Sequence, residues 1–191
     1  MPREQLYPVF LKLAGLPVVV VGGGPVAAGK LDGLLAAGAR VTVVAPVVID
    51  AIRGRGVTII ERAFAARDLD EARWVVAAAP PEINREVADA AAARGLFVNA
   101  VDDNAAATAY LGGVLRRGDV EIAISTGGLA PALAGLLREA LDAILPHDLE
   151  RWIDVAKQAR ADWKASKLPM AERRPLLLRA LQKIYAPEVR S

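Results

Sequence analysis

Short apolar runs and helical stripes alternate along the chain. Leu16–Val21 (LPVVVV), Arg40–Ala45 (RVTVVA), Val57–Ile60 (VTII), Trp74–Ala79 (WVVAAA), Leu96–Val101 (LFVNAV) and Val120–Ser125 (VEIAIS) each read as a strand. The first is uncharged and β-branched, which suits a strand covered on both faces, as in parallel sheets. Val26, Leu31, Leu34 and Leu35 recur near helical spacing over Pro25–Gly38, with Pro25 suited to the first turn and Gly38 to a C-cap. Ile83, Val87, Ala90 and Ala91 mark a second helix over Glu82–Arg94. Strands alternating with helices imply βαβ crossovers, so residues 16–125 are expected to form an α/β, doubly wound parallel sheet. Asp102–Asp119 reads as a less regular stretch. The remainder is helical: Leu133, Leu136, Leu137, Leu141 and Ile144 form one stripe after Pro131, and Trp152, Ile153, Ala156 and Trp163 another over 148–165. A third helix is expected over Pro175–Tyr185, with Pro169 in the linker before it.

Composition narrows the chemistry. Apolar residues make up 54% of the 191, enough for a core. Cysteine is absent, which excludes disulfides, thiolate metal sites and a cysteine nucleophile. A single histidine, His147, excludes a multi-histidine metal site in one chain, and no metal ligand set is expected. Net charge is only +2, so binding to nucleic acid through phosphates is not expected. Residues 146–191 hold ten lysines and arginines against six acids, so the tail is the basic part and suits a polyanionic small molecule. Neither a signal peptide nor a run of transmembrane length is visible, and a soluble cytoplasmic protein is expected.

The first strand ends on Gly22-Gly23-Gly24-Pro25-Val26-Ala27, which fits G-x-G-x-x-G/A. In that pattern the first glycine permits the tight turn and the second lets backbone approach a pyrophosphate. A small third residue packs helix on strand. Free N–H groups and the positive end of the helix dipole then favour an anion. Strand before and helix after are the context that gives the pattern meaning. A dinucleotide, NAD foremost, is the expected ligand. The usual ribose-binding acid at the end of the second strand is missing: Ala45-Pro46-Val47 stands there, with no arginine for a 2′-phosphate either. Backbone of Pro46 and Val47 is left to line the adenosine side.

Four stretches, in order over residues 7–145, together resemble the precorrin-2 dehydrogenase/sirohydrochlorin ferrochelatase family of the siroheme-synthase N-terminal type. They are YPVFLKL (7–13), VVGGGPVAAGK with LLAAGARVTVVAP (20–30 and 34–46), VNAVD (98–102), and ISTGG with APALA and LLRE (124–139). The resemblance implies a Rossmann domain over 1–112, a dimerisation region over 113–145 and a helical C-terminal domain over 146–191. It implies oxidation of precorrin-2 to sirohydrochlorin with NAD as hydride acceptor, in a homodimer. Some members also insert ferrous iron. Family cofactor contacts fall here on Pro25, Val26, Pro46 and Val47, beside the turn glycines Gly22, Gly23 and Gly24. The family's important aspartate falls on Asp102, and a serine modified in some relatives falls on Thr126. Where members often carry a Thr-Asp-Asp loop, this chain has Ala79-Pro80-Pro81-Glu82. No methyltransferase domain is attached, so a stand-alone enzyme is expected.

Each candidate has a plainer reading beside it. Asp102 closes the fifth strand, where doubly wound sheets bind ligands, and a carboxylate there can take a proton. Asp102-Asp103-Asn104 is equally a turn by composition. Ser125, Thr126 and Gly127 can bind a substrate carboxylate or simply cap the next helix. Arg116, with Arg117, suits a polycarboxylate such as a tetrapyrrole, or a solvated face. The alternative to an enzyme is a regulatory module that binds NAD without turnover.

Overall fold

The computed structural model describes residues 5–185. The residues at 186–191, which end the expected C-terminal region, lie outside them. The chain divides into two compact units, with the boundary between Leu111 and Gly112.

In the first unit, five strands lie in the order β3-β2-β1-β4-β5: β1 (Pro17–Val21), β2 (Arg40–Val44), β3 (Thr58–Ile60), β4 (Trp74–Ala77) and β5 (Val98–Ala100). Every pairing is parallel, with Val20 level with Val43 and Val76, and Val76 level with Asn99. Alternation along the strands splits the core in two. Val18, Val20, Val41, Val43 and Val76 meet Ala27, Ala28, Leu31 and Leu34 of helix α1 (Pro25–Ala36). On the other face Val19, Val21, Val75, Ala77 and Val98 meet Val87, Ala90 and Ala91 of the helix over Pro81–Ala92. Burial on both faces is why these strands are apolar without alternation. Between β2 and β3 lies the short helix α2 (Asp50–Arg53), and the Pro81–Ala92 helix is α3.

The parallel sheet therefore ends at β5, and the expected sixth strand is not part of it. Val120–Ile124 (β7) pairs instead with Gly113–Arg117 (β6) in an antiparallel two-stranded sheet of the second unit. The stretch read as irregular contains β6. Its signal is the Gly118-Asp119 pair between Arg117 and Val120: Gly118 takes φ +53°, as primed hairpin turns require. A parallel continuation would have needed a crossover of a dozen residues or more, and two residues allow only a hairpin.

Three helices complete the second unit: α4 (Pro131–Ile144), α5 (Leu149–Ala165) and α6 (Met170–Gln182). The last begins five residues before the expected start at Pro175. Pro169 precedes it, and Pro175 sits inside the helix, forgoing one backbone hydrogen bond. Arg173 folds back to donate to Leu168 O at 2.8 Å, tying the helix start to the linker before it. Arg117, only 12% exposed, donates to Leu145 O, Asp142 O and Asp142 Oδ1. It thus satisfies the carboxyl end of α4 and is a structural cation, not a free substrate contact. Among the described residues no helix is long and apolar enough to cross a membrane.

Candidate functional site

The site is built at the carboxyl edge of the parallel sheet, where the strand order reverses between β1 and β4. Gly22 N–H donates to Val44 O (2.9 Å) and Ala78 N–H to Val21 O (2.8 Å), so the chain leaves β1 tied to both neighbours. A Cβ on Gly22 would stand 2.2 Å from Ala78 O, and one on Gly23 2.1 Å from Val47 O. Any side chain at either position would collide with backbone. The first two glycines thus let the turn nest between the end of β4 and the loop after β2. Gly24 differs: a Cβ there meets nothing within 4 Å.

That open space faces the start of α1. Gly24 is the N-cap residue, Pro25 occupies the first turn, no side chain caps the helix, and its first turn holds no acid. The helix leaves its free N–H groups and positive dipole end for an outside anion. Around it Pro25, Val26, Pro46 and Val47 are exposed, Val47 by 77%. An apolar rim beside an uncapped helix start fits a dinucleotide.

Asp102 stands two residues beyond β5 on the same edge of the sheet. It is exposed and takes φ +58°, one of two described non-glycine residues with positive φ. Its neighbour Asp103 is committed elsewhere. The Asp103 carboxylate accepts from Ala105 N–H (3.2 Å) and Ala106 N–H (3.1 Å) and lies 3.5 Å from Arg85 Nε. The turn reading therefore fits Asp103, while Asp102 is left facing solvent.

Sequence reasoning passed over Asn84. It is 2% exposed, accepts from Ala79 N–H at 2.9 Å and donates to Val101 O at 3.2 Å. The signal was a polar residue three before Val87 on the buried face of α3.

Ser125, Thr126 and Gly127 belong to the second unit, in the loop between β7 and α4. Ser125 Oγ accepts from Gly127 N–H (3.1 Å), and Thr126 Oγ1 from Ala130 N–H (3.2 Å) at the start of α4. Arg116 crosses the hairpin to Glu121 at 2.7 Å. The register puts Arg116 three residues from the Ser125 end of the hairpin, roughly 10 Å. The structure does not bring Arg116 together with that loop. His147 lies exposed between α4 and α5. Trp152 donates to Tyr185 OH at 2.7 Å, and the two rings meet edge to face.

A doubly wound sheet, a glycine turn with one open face and an uncapped helix terminus define a dinucleotide-binding protein of Rossmann type. Residues 9–113 match the family described as "Putative NAD(P)-binding", and the chain belongs to that family. It is also 38% identical over 172 residues to siroheme synthase 1 of Serratia proteamaculans, covering 87% of this chain and 36% of that one. It is 39% identical over 159 residues to siroheme synthase of Psychromonas ingrahamii, covering 80% and 34% respectively. The chain thus spans about a third of the length of these curated relatives. A solved structure of SirC, precorrin-2 dehydrogenase, superposes with a TM-score of 0.69 at 24% identity, over 91% of this chain and 88% of that one. That likeness shows a shared fold.

Proposed function

We infer that the chain is an NAD-dependent precorrin-2 dehydrogenase, forming sirohydrochlorin in siroheme biosynthesis. The observation that carries the reading is Asp102, an exposed carboxylate in left-handed backbone on the same sheet edge as the glycine turn. The printed functions of the relatives agree with it.

Bound NAD supplies the hydride acceptor. Gly24 and the start of α1 would hold the pyrophosphate, on the turn that Gly22 and Gly23 shape. Pro46 and Val47, after β2, would line the adenosine half, which leaves the carboxyl ends of β4 and β5 to the nicotinamide half. Asp102 then stands on the reacting side. With that acceptor bound, Asp102 would take the proton that the macrocycle gives up alongside the hydride. NAD over NADP belongs to this reading through the resemblance to precorrin-2 dehydrogenases, since the end of β2 offers neither an acid for the ribose hydroxyls nor a cation for a 2′-phosphate. In the second unit Ser125, Thr126, Gly127 and Arg116 are the proposed contacts to substrate carboxylates, with Arg116 first having to leave Glu121. The reading further includes a three-part chain (1–112, 113–145, 146–191), a homodimer, a cytoplasmic location, and ferrous iron as a second substrate inserted into sirohydrochlorin.

The test is NADH absorbance on mixing the chain with precorrin-2 and NAD. The wild-type chain should form NADH. Asp102→Asn should lose on the order of 10²-fold or more in kcat, with NAD affinity unchanged by calorimetry. Absence of NADH with the wild-type chain overturns the reading, and near-normal rates in the variant remove Asp102 from it. Iron insertion is read separately, from sirohydrochlorin and ferrous iron without NAD.

A further inference from the structure

Two buried polar side chains bracket the segment that carries Asp102. Asn84 reaches from α3 to Ala79 N–H, just past β4, and to Val101 O, just past β5. Val101 N–H in turn donates to Ala77 O at 2.9 Å. Val101 is therefore held through both of its backbone polar groups, and Asp102 is the next residue. At the far end Asn99, 7% exposed, donates to Ala109 O at 3.0 Å. Thr108 Oγ1 accepts from Val98 N–H at 2.8 Å. The backbone from Val101 to Ala109 is thus fastened at both ends by buried carboxamides.

Packing alone does not account for these residues. An apolar side chain at position 84 would continue the face formed by Val87, Ala90 and Ala91. At position 99 the carboxamide even leaves its Oδ1 without a hydrogen-bond partner among the described residues. A buried acceptor left unpaired is costly. What both side chains do in common is hold the segment around a non-glycine residue at φ +58°, a conformation that persists only where its surroundings over-determine it.

We propose that Asn84 is a positioning residue: by tying Val101 to the loop after β4 it sets Asp102 on the nicotinamide side of the sheet edge, while Asn99 holds the far end of the same segment. This rests on Asp102 as the proton acceptor of the reaction proposed above.

The decisive measurement is a double-mutant cycle in the full chain, with Asn84→Leu, Asp102→Asn and both together. Asn84→Leu should lower kcat at least tenfold and leave KM for NAD and for precorrin-2 within twofold. In the Asp102→Asn background it should change kcat by less than twofold. Independent, multiplying losses overturn the proposal, because Asn84 would then act by another route. Hydrogen exchange gives a readout free of turnover: amides of 101–109 should exchange faster in Asn84→Leu, with those of 18–21 unchanged. If the wild-type chain forms no NADH, the dehydrogenase reading fails and exchange alone decides. Faster exchange confined to 101–109 keeps Asn84 as the pin of this turn, and unchanged exchange overturns it. If Asn84→Leu does not fold, Asn84→Asp, which keeps the acceptor for Ala79 N–H, carries the same cycle.

Discussion

Gly22 and Gly24 look alike in the motif and do opposite things. At Gly22 the missing side chain makes room for the protein's own backbone at Ala78, at φ +129°. At Gly24 the space stays open, since a Cβ there meets nothing within 4 Å, and the proposed pyrophosphate would use it. Gly22→Ala should therefore lower the melting temperature of the chain. Gly24→Val should leave it within about 2–3 °C, the loss of a glycine N-cap being a fraction of a kcal/mol to about 1, yet weaken NAD binding more than tenfold by calorimetry. Equal effects of the two on stability would mean that Gly24 is not the open face. The spacing of the motif was legible from residues alone. So was the division of roles between Gly22 and Gly24; that Gly23 is closed off by backbone was not, because it depends on Val47 arriving from the loop after β2.

Elements are held by side chains whose purpose the chain order hides. The turn Ala66–Leu69 after β3 is closed by Asp68, 6% exposed, which accepts from Arg62 Nη1 at 2.8 Å and from Ala65 N–H at 2.9 Å. The hydrogen bonds from Arg62 hold the Asp68 carboxyl below its usual value of 3.8, against the opposing effect of burial. A lowered folded pKa stabilises above the unfolded pKa, and the gain is lost as pH falls through the folded one. Asp68→Asn should thus cost about 1–2 kcal/mol at neutral pH, the half-exposed Arg62 limiting the figure. The gap between variant and wild type in urea unfolding should stay constant above about pH 5 and close as pH drops below 3.8. A gap independent of pH would remove the ion pair as its cause. The β6–β7 hairpin teaches the same lesson from the other side. Its glycine-aspartate turn was readable, but a sixth apolar run was assigned to the parallel sheet because periodicity does not report a partner.

At the scale of the molecule, the two units differ in how they bury apolar surface. The parallel sheet is covered on both faces within its own unit. In α4 only Ala134 is buried, while Leu133, Leu136, Leu137 and Ile144 are exposed. An exposed stripe of this kind marks an interaction surface and supports the proposed homodimer. Sedimentation should give a dimer at micromolar concentration, shifted to monomer by Leu136→Glu with the fold of the first unit retained. A wild-type monomer would end the homodimer proposal.

The residues by themselves determined the α/β class, the glycine turn on the first strand and Asp102 beyond the fifth strand. These are local facts: periodicity, turn chemistry and spacing depend on neighbours a few positions away. Only the tertiary structure decided that the sheet stops at β5, that Gly23 is closed off by Val47, that Asp103 is spent on its own turn, and that Arg117 belongs to α4. It alone brought Asn84 to Val101, seventeen residues on. Such assignments turn on which distant backbone groups arrive at a given side chain. Parallel strands, joined through long crossovers, bring together groups whose separation along the chain carries no periodic signal.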